Sequence, residues 1–247
     1  MLITNDIRDD GFGAQYQSII WSILFAEVKG HTFFYSDIKY MNNGVDNDKK
    51  FIEDAVKLMN IKPHYPDVYS VYKYAEHTVY ALKAPLFYKE IENDMERFHN
   101  SESFQRVKQL FYQDKKSPFD NDHTHIAVHI RKPVKYDVVI EDYRLIKDDY
   151  FLNCMAKLFE MYKSKSKPVL FHIYSQGDLK DFEVYKQFPV KFHLEDDTFQ
   201  SFIGMAFADV LVISPSSMSY TAGLLSNGDV VYKPFWHPPR KNWIQIV

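Results

Sequence analysis

From Thr124 onward, short β-branched runs alternate with amphipathic stretches. THIAVHI predicts a strand. DDYFLNCMAKLFEMYKS predicts a helix in which Phe151, Leu152, Met155, Leu158, Phe159 and Tyr162 fall on helical spacing. PVLFHIYS, VKFHL, DVLVIS and DVVYKP predict further strands, separated by helices over DLKDFEVYKQF, TFQSFIGMAFA and SSMSYTAGLLS. Strands and helices in strict alternation make a parallel sheet with right-handed crossovers, the doubly wound α/β arrangement.

The first half has a different rhythm. GFGAQ leads into QYQSIIWSILFAEVKG, a predicted helix ending near Gly30, and HTFFYS predicts a strand. Helical patterns then follow in FIEDAVKLMN, VYSVYKYAEHTVYAL, LFYKEIENDMERFH and SESFQRVKQLFY. QDKKSPFDND, residues 113–122, has the charge, proline and aspartates of a linker, and divides the chain into lobes over 1–118 and 119–247 with a cleft expected between them.

Composition narrows the partners. The chain has 247 residues, 46% hydrophobic, and a formal net charge of -3, which describes a globular protein without the basic excess that nucleic acid or an acidic membrane surface demands. Cys154 is the only cysteine, so an intramolecular disulfide and a cysteine-based zinc cluster are both excluded. The opening residues lack the pattern of a signal peptide, and no apolar run is long enough for a membrane span, so a cytoplasmic protein is expected.

Ligands of open parallel sheets bind outside the carboxyl ends of the strands, which sorts the polar residues by position. His129 and Arg131 leave the first strand of the second lobe about 6.6 Å apart along one face. Ser175, Gln176 and Gly177 leave the second at the same edge, and Glu195, Asp196, Asp197 and Thr198 leave the third. The fourth exits into Ser214, Pro215, Ser216 and Ser217, which begin a helix. An arginine and a helix N-terminus facing one crevice point to a phosphate or pyrophosphate. Each residue also has a structural reading: Ser216 and Ser217 as a helix cap, His129 as a core histidine, Arg131 as the partner of Asp196 or Asp197. Asp209 starts a strand at the opposite edge and reads as structural. The acidic triplet from Glu195 to Asp197 precedes a helix and reads as its cap, so no metal is assigned. Gly11, Phe12 and Gly13 precede a helix but fall short of GxGxxG, with no clear βαβ unit around them. The tail YKPFWHPPRKNWIQIV is expected to pack back across the lobes, with acceptor stacking by its aromatic rings as the other reading.

Together GFGAQYQSIIWSI, VHIRK, FHIYSQGD and FADVLVISPSSMSYTAGLL, in that order, resemble the superfamily of α-1,6 and α-1,2 fucosyltransferases, protein O-fucosyltransferases and bacterial nodulation fucosyltransferases. The resemblance implies an inverting, metal-independent glycosyltransferase of the GT-B type, with two Rossmann-like lobes around a central cleft. It implies no cofactor, a nucleotide-sugar donor with GDP-fucose favoured, and an oligosaccharide or glycoconjugate acceptor. By position, Arg131 would contact the β-phosphate and His129 the base or phosphates. Ser216 and Ser217 would bind the pyrophosphate. Ser175, Gln176, Asp197 and Thr198 would line the nucleoside pocket, and Gly11, Phe12 and Gly13 would close over the donor. Several features depart from the family pattern: Ala14 after the second glycine, RKPVKYD after HxR, and the lack of paired aspartates near Gln176. They keep UDP-linked sugars such as UDP-xylose open as donors, along with a non-catalytic nucleotide- or glycan-binding module. An inverting transfer calls for a general base, for which Asp137 ranks first, then Asp9 and Asp10, then Glu141.

Overall fold

The computed structural model describes residues 1–6, 8–42, 48–71, 79–81, 84–132, 145–194 and 196–246. The chain forms two compact units, Met1–Lys116 and Ser117–Val247.

The first unit opens with strand β1 (Leu2–Thr4), helix α1 (Phe12–Val28) and strand β2 (Thr32–Phe34). β1 and β2 are parallel, in the register Leu2↔Thr32, so a βαβ unit does surround the GFG motif. The sequence conceals it because β1 is three residues long and begins one residue into the chain. α1 is apolar on nearly every side, from Tyr16 through Ile19, Ile20, Trp21, Ile23 and Leu24, and is the buried core of this unit. α2 (Lys49–Met59) is capped by Asp48 and ends at Asn60, whose left-handed backbone (φ 51°) stops the helix.

The helix expected over VYSVYKYAEHTVYAL is not formed as such. α3 is a single turn (Val68–Val71), and Val79–Ala81 is strand β3, parallel to β1 in the register Leu2↔Val79. Apolar residues there follow helical spacing, but pairing with the free side of β1 decides the outcome. The helix expected over LFYKEIENDMERFH is two, α4 (Ala84–Asn93) and α5 (Met95–His99), broken at Asp94. α6 (Glu102–Tyr112) starts where Ser101 accepts a bond from the Phe104 amide. The sheet order is β2-β1-β3.

The second unit follows the sequence pattern closely. Its strands are β4 (Thr124–His129), β5 (Val169–Ser175), β6 (Val190–Leu194), β7 (Val210–Val212) and β8 (Asp229–Val231), all parallel, in the order β6-β5-β4-β7-β8. Helices α7 (Asp148–Tyr162), α8 (Thr198–Phe207) and α9 (Ser217–Leu225) connect them. The connection expected as an α-helix over DLKDFEVYKQF is a 3₁₀ segment, Leu179–Gln187. This is the α/β fold class the alternation predicts.

Alternation along β4 sends Ile126, Val128 and Ile130 into one core layer, against Phe171, Ile173 and the α7 residues Phe151, Cys154, Met155 and Leu158. His125, Ala127 and His129 take the other face. The C-terminal segment packs onto this unit: Trp243 is buried against Tyr220 and Tyr232, and Ile244 bridges to Val231. No helix among the described residues is long and apolar enough to cross a membrane.

Candidate functional site

In the order β6-β5-β4-β7-β8, the chain winds outward in one direction from β4 and in the other from β7. The loops leaving these neighbouring strands therefore diverge, and a crevice opens at their carboxyl ends. The backbone there is fastened from both sides. From β5, the Ser175 hydroxyl donates to the Ile130 carbonyl at 2.7 Å, and the Ile130 amide bonds the Tyr174 carbonyl at 3.0 Å. From β7, the buried Ser214 hydroxyl donates to the His129 carbonyl and accepts from the Arg131 amide at 3.1 Å. Arg131 thus leaves the sheet from a backbone held at the two preceding residues and at its own amide.

A cavity of about 90 Å³ lies at this edge. It brings together His129, Arg131, Ser175, Gln176 and Thr198, five of the positions singled out from the sequence. Lys132, Tyr174, Asp196 and Ser201 line it too, as do Met205 and Met218. Thr198, Ser201 and Met205 recur at helical spacing along one face of α8, so that helix forms a wall. Gly204 on α8 is what lets Tyr174 lie beneath it: a Cβ at Gly204 would sit 2.0 Å from the tyrosine oxygen.

Asp197 caps α8, accepting from the Phe199 amide at 2.9 Å and the Gln200 amide at 3.0 Å, so its carboxylate is engaged by its own helix. Ser216 caps α9 through the Met218 amide, and Ser217 opens that helix. Ser214 and Ser219 are mutually bonded behind the cap, which fixes the start of α9 against the end of β7. The first-turn amides and the dipole of α9 make this a favourable place for negative charge. Glu195 lies outside the described residues, as do Asp137 and Glu141.

His129 is 8% exposed, and its Nδ1 has no partner among the described residues. Burial, and secondarily the charge of Arg131, push its pKa down to about 3, so the ring is neutral near pH 7. A neutral ring can offer a hydrogen bond but no charge to this cavity, which Arg131 and Lys132 also line. The Lys132 ammonium is 3.2 Å from Asp148 at the start of α7. Asp196, the carboxylate considered for Arg131, is bonded to His193 Nδ1 at 2.8 Å.

In the first unit Gly11, Phe12 and Gly13 form the cap and first turn of α1 and not a free loop. Phe12 is buried and packs near Tyr16, which leaves backbone as the group this turn offers. Asp10 is paired with Arg8, whereas Asp9 is exposed. A larger hollow of about 430 Å³ in this unit, beside α2, is lined by Ile38, Ile52 and Val56 with charges of both signs. Within it Lys62 and Asp37 already pair with each other.

Tyr174 and Lys132 are lining residues that the sequence does not single out, and Ser214 stands out there only as one of the residues leading into α9. Lys132 adjoins Arg131, and Ser214 precedes a proline at a strand exit, so both carried a local signal; the role of Tyr174 depends on Gly204 thirty residues away. Asp209, as expected, is structural: its carboxylate accepts from the His125 amide at 2.8 Å at the amino edge of the sheet.

No family model matches the chain, and no curated protein matches it. Among solved structures it is similar to fucosyltransferase NodZ from Bradyrhizobium, at 12% identity and a TM-score of 0.48, covering 91% of this chain and 93% of that one. It is also similar to the E. coli heptosyltransferase WaaC with ADP-2-deoxy-2-fluoro heptose, at 12% identity and 0.45, covering 99% and 92%. A third is POFUT1 in complex with GDP-fucose, at 10% and 0.43, covering 92% and 94%.

Proposed function

We propose that the chain is an inverting glycosyltransferase that moves a sugar from a nucleoside-diphosphate donor, GDP-fucose being favoured, to a hydroxyl of an oligosaccharide or glycoconjugate. The observation that carries this reading is the junction of Arg131 with the start of α9 through Ser214, at the diverging strands of a parallel sheet. A guanidinium and a helix N-terminus at one crevice suit a diphosphate, and the motif order of the sequence supplies the sugar. In the transfer, the bond from the anomeric carbon to the diphosphate oxygen breaks and the acceptor oxygen bonds to that carbon from the opposite face. The acceptor proton passes to a base, for which Asp137 is the proposal. Charge grows on the departing diphosphate, so donors aimed at it lower the barrier; Arg131 and the α9 amides take that role in place of a metal ion.

A thermal-shift panel of GDP, UDP and ADP, followed by donor turnover with an acceptor library, tests the reading. GDP should stabilise the chain most, and turnover should not rise with added Mg²⁺ or Mn²⁺. A preference for UDP would redirect the donor toward sugars such as UDP-xylose. Binding without hydrolysis or transfer would make the chain a binding module, and no response to any nucleotide would end the proposal. Asp137→Asn should bind donor normally and lose turnover; full turnover would remove Asp137 as the base.

A further inference from the structure

Three histidines on adjacent strands form a continuous chain across the second sheet. Starting from Asp196, the contacts run to His193 Nδ1 (2.8 Å), from His193 Nε2 to His172 Nδ1 (3.0 Å), and from His172 Nε2 to His125 Nδ1 (2.9 Å). His125 Nε2 then faces the backbone oxygen of Asp120 at 3.2 Å and its carboxylate Oδ1 at 3.3 Å. Register explains the diagonal: His172 pairs with Ala127 and His193 with Tyr174, so each ring stands one step further along the shared face.

Both ends of this chain are oxygen acceptors. A neutral imidazole carries one N–H, so three rings supply three protons for four contacts. If Asp196 accepts the proton of His193, each ring in turn donates toward Asp196. His125 Nε2 is then left as a lone pair facing two oxygens, in a ring only 3% exposed. A cation at that end would take this lone pair.

At the same end His123 Nδ1 lies 3.1 Å from Asp120 Oδ1, and the ligand atoms of Asp120, His123 and His125 all fall within 4.8 Å of one another. Around a tetrahedral ion at about 2.0–2.1 Å, ligand atoms stand roughly 3.3 Å apart, and the two contacts to Asp120, 3.1 Å from His123 and 3.3 Å from His125, match that spacing. Phe119 stacks on His125 at 4.5 Å and covers the ring, and His172 Nε2 lies 2.9 Å from His125 Nδ1, the hydrogen-bond partner that holds a ligating histidine in orientation.

We propose that Asp120, His123 and His125 bind one Zn²⁺ at the amino edge of the second sheet, with His172 and His193 as its outer shell. The ion takes the lone pair of His125 Nε2, completes the proton count, and sets the tautomers of all three histidines as far as Asp196 in the cavity wall at the opposite edge. Its fourth position is open to water. The proposal stands apart from the transferase reading, since none of its three ligands lines that cavity.

The test uses the tag-free full chain, stripped with chelator and titrated calorimetrically with Zn²⁺, and with Co²⁺ read by visible absorption. One Zn²⁺ per chain and the intense bands of tetrahedral Co²⁺ are expected. His123→Ala, at an accessible side chain, should weaken Zn²⁺ at least about tenfold and abolish those bands. Asp120→Asn retains the oxygen that accepts from the Asp122 and His123 amides, so the loop holds while a charged ligand is lost; it should weaken binding similarly. His172→Gln should cost about 10–100-fold. Absence of one-to-one Zn²⁺ binding, or binding that both ligand variants leave unchanged, overturns the proposal.

Discussion

Replacing His129 by leucine should make the protein less sensitive to acid. The folded protein keeps this ring neutral down to about pH 3, because it is buried beside Arg131, whereas the unfolded chain protonates it near its ordinary value of 6.5. The depressed value means that the unfolded state binds the extra proton first. Stability associated with His129 is therefore complete above pH 6.5 and is lost progressively as pH falls toward 3. About 1.5 pH units below the free value, near pH 5, that loss amounts to roughly 2 kcal/mol, a fair share of the stability of an ordinary domain. Urea titrations of wild type and His129→Leu, near pH 7.5 and near pH 5, isolate the effect, because any packing cost of leucine enters at both pH values. The variant should lose about 2 kcal/mol less than wild type on acidification. Equal losses would refute a buried neutral ring, and with it the view that His129 serves the crevice without charge.

The supports of the crevice make further predictions. Ser214→Ala leaves the His129 carbonyl and the Arg131 amide without their bridge, which should lower stability by about 1–3 kcal/mol and weaken nucleotide binding although the serine side chain itself is buried; chemical denaturation and calorimetry check both. Gly204→Ala forces Tyr174, only 4% exposed and stacked on His193 at 4.5 Å, out of position; about 1–3 kcal/mol of destabilisation is expected, read as a fall in midpoint temperature. Asp197→Ala removes the cap of α8 and should cost about 0.5–2 kcal/mol, with Asp197→Asn retaining most of the stability.

The second unit was legible because its strands are β-branched runs with turn residues at both ends, and because strand polarity alone sorts residues to one edge of a parallel sheet. That is why the sequence alone groups His129, Arg131, Ser175, Gln176 and Thr198, all of which line the cavity at this edge. The first unit was less legible. β1 and β3 are three residues each, too short for a period to register, and their identity comes from pairing over a long sequence separation. The histidine chain was visible only as separate residues in HTHIAVHI, FHI and KFHL. Its meaning depends on inter-strand register and on which ring nitrogen faces which neighbour, and neither is written in local spacing. Asp196 was read as a cap or an arginine partner for the same reason, since its link to His193 belongs to that chain.

The central claim is that a nucleoside diphosphate sits where β4 and β7 diverge. A crystal structure of the protein with GDP tests it most directly. The account predicts the diphosphate against the Arg131 guanidinium and the first-turn amides of α9, with the nucleoside toward Gln176 and Thr198. A nucleotide bound elsewhere on the chain, with the crevice between Arg131 and Ser216 unchanged, would contradict it.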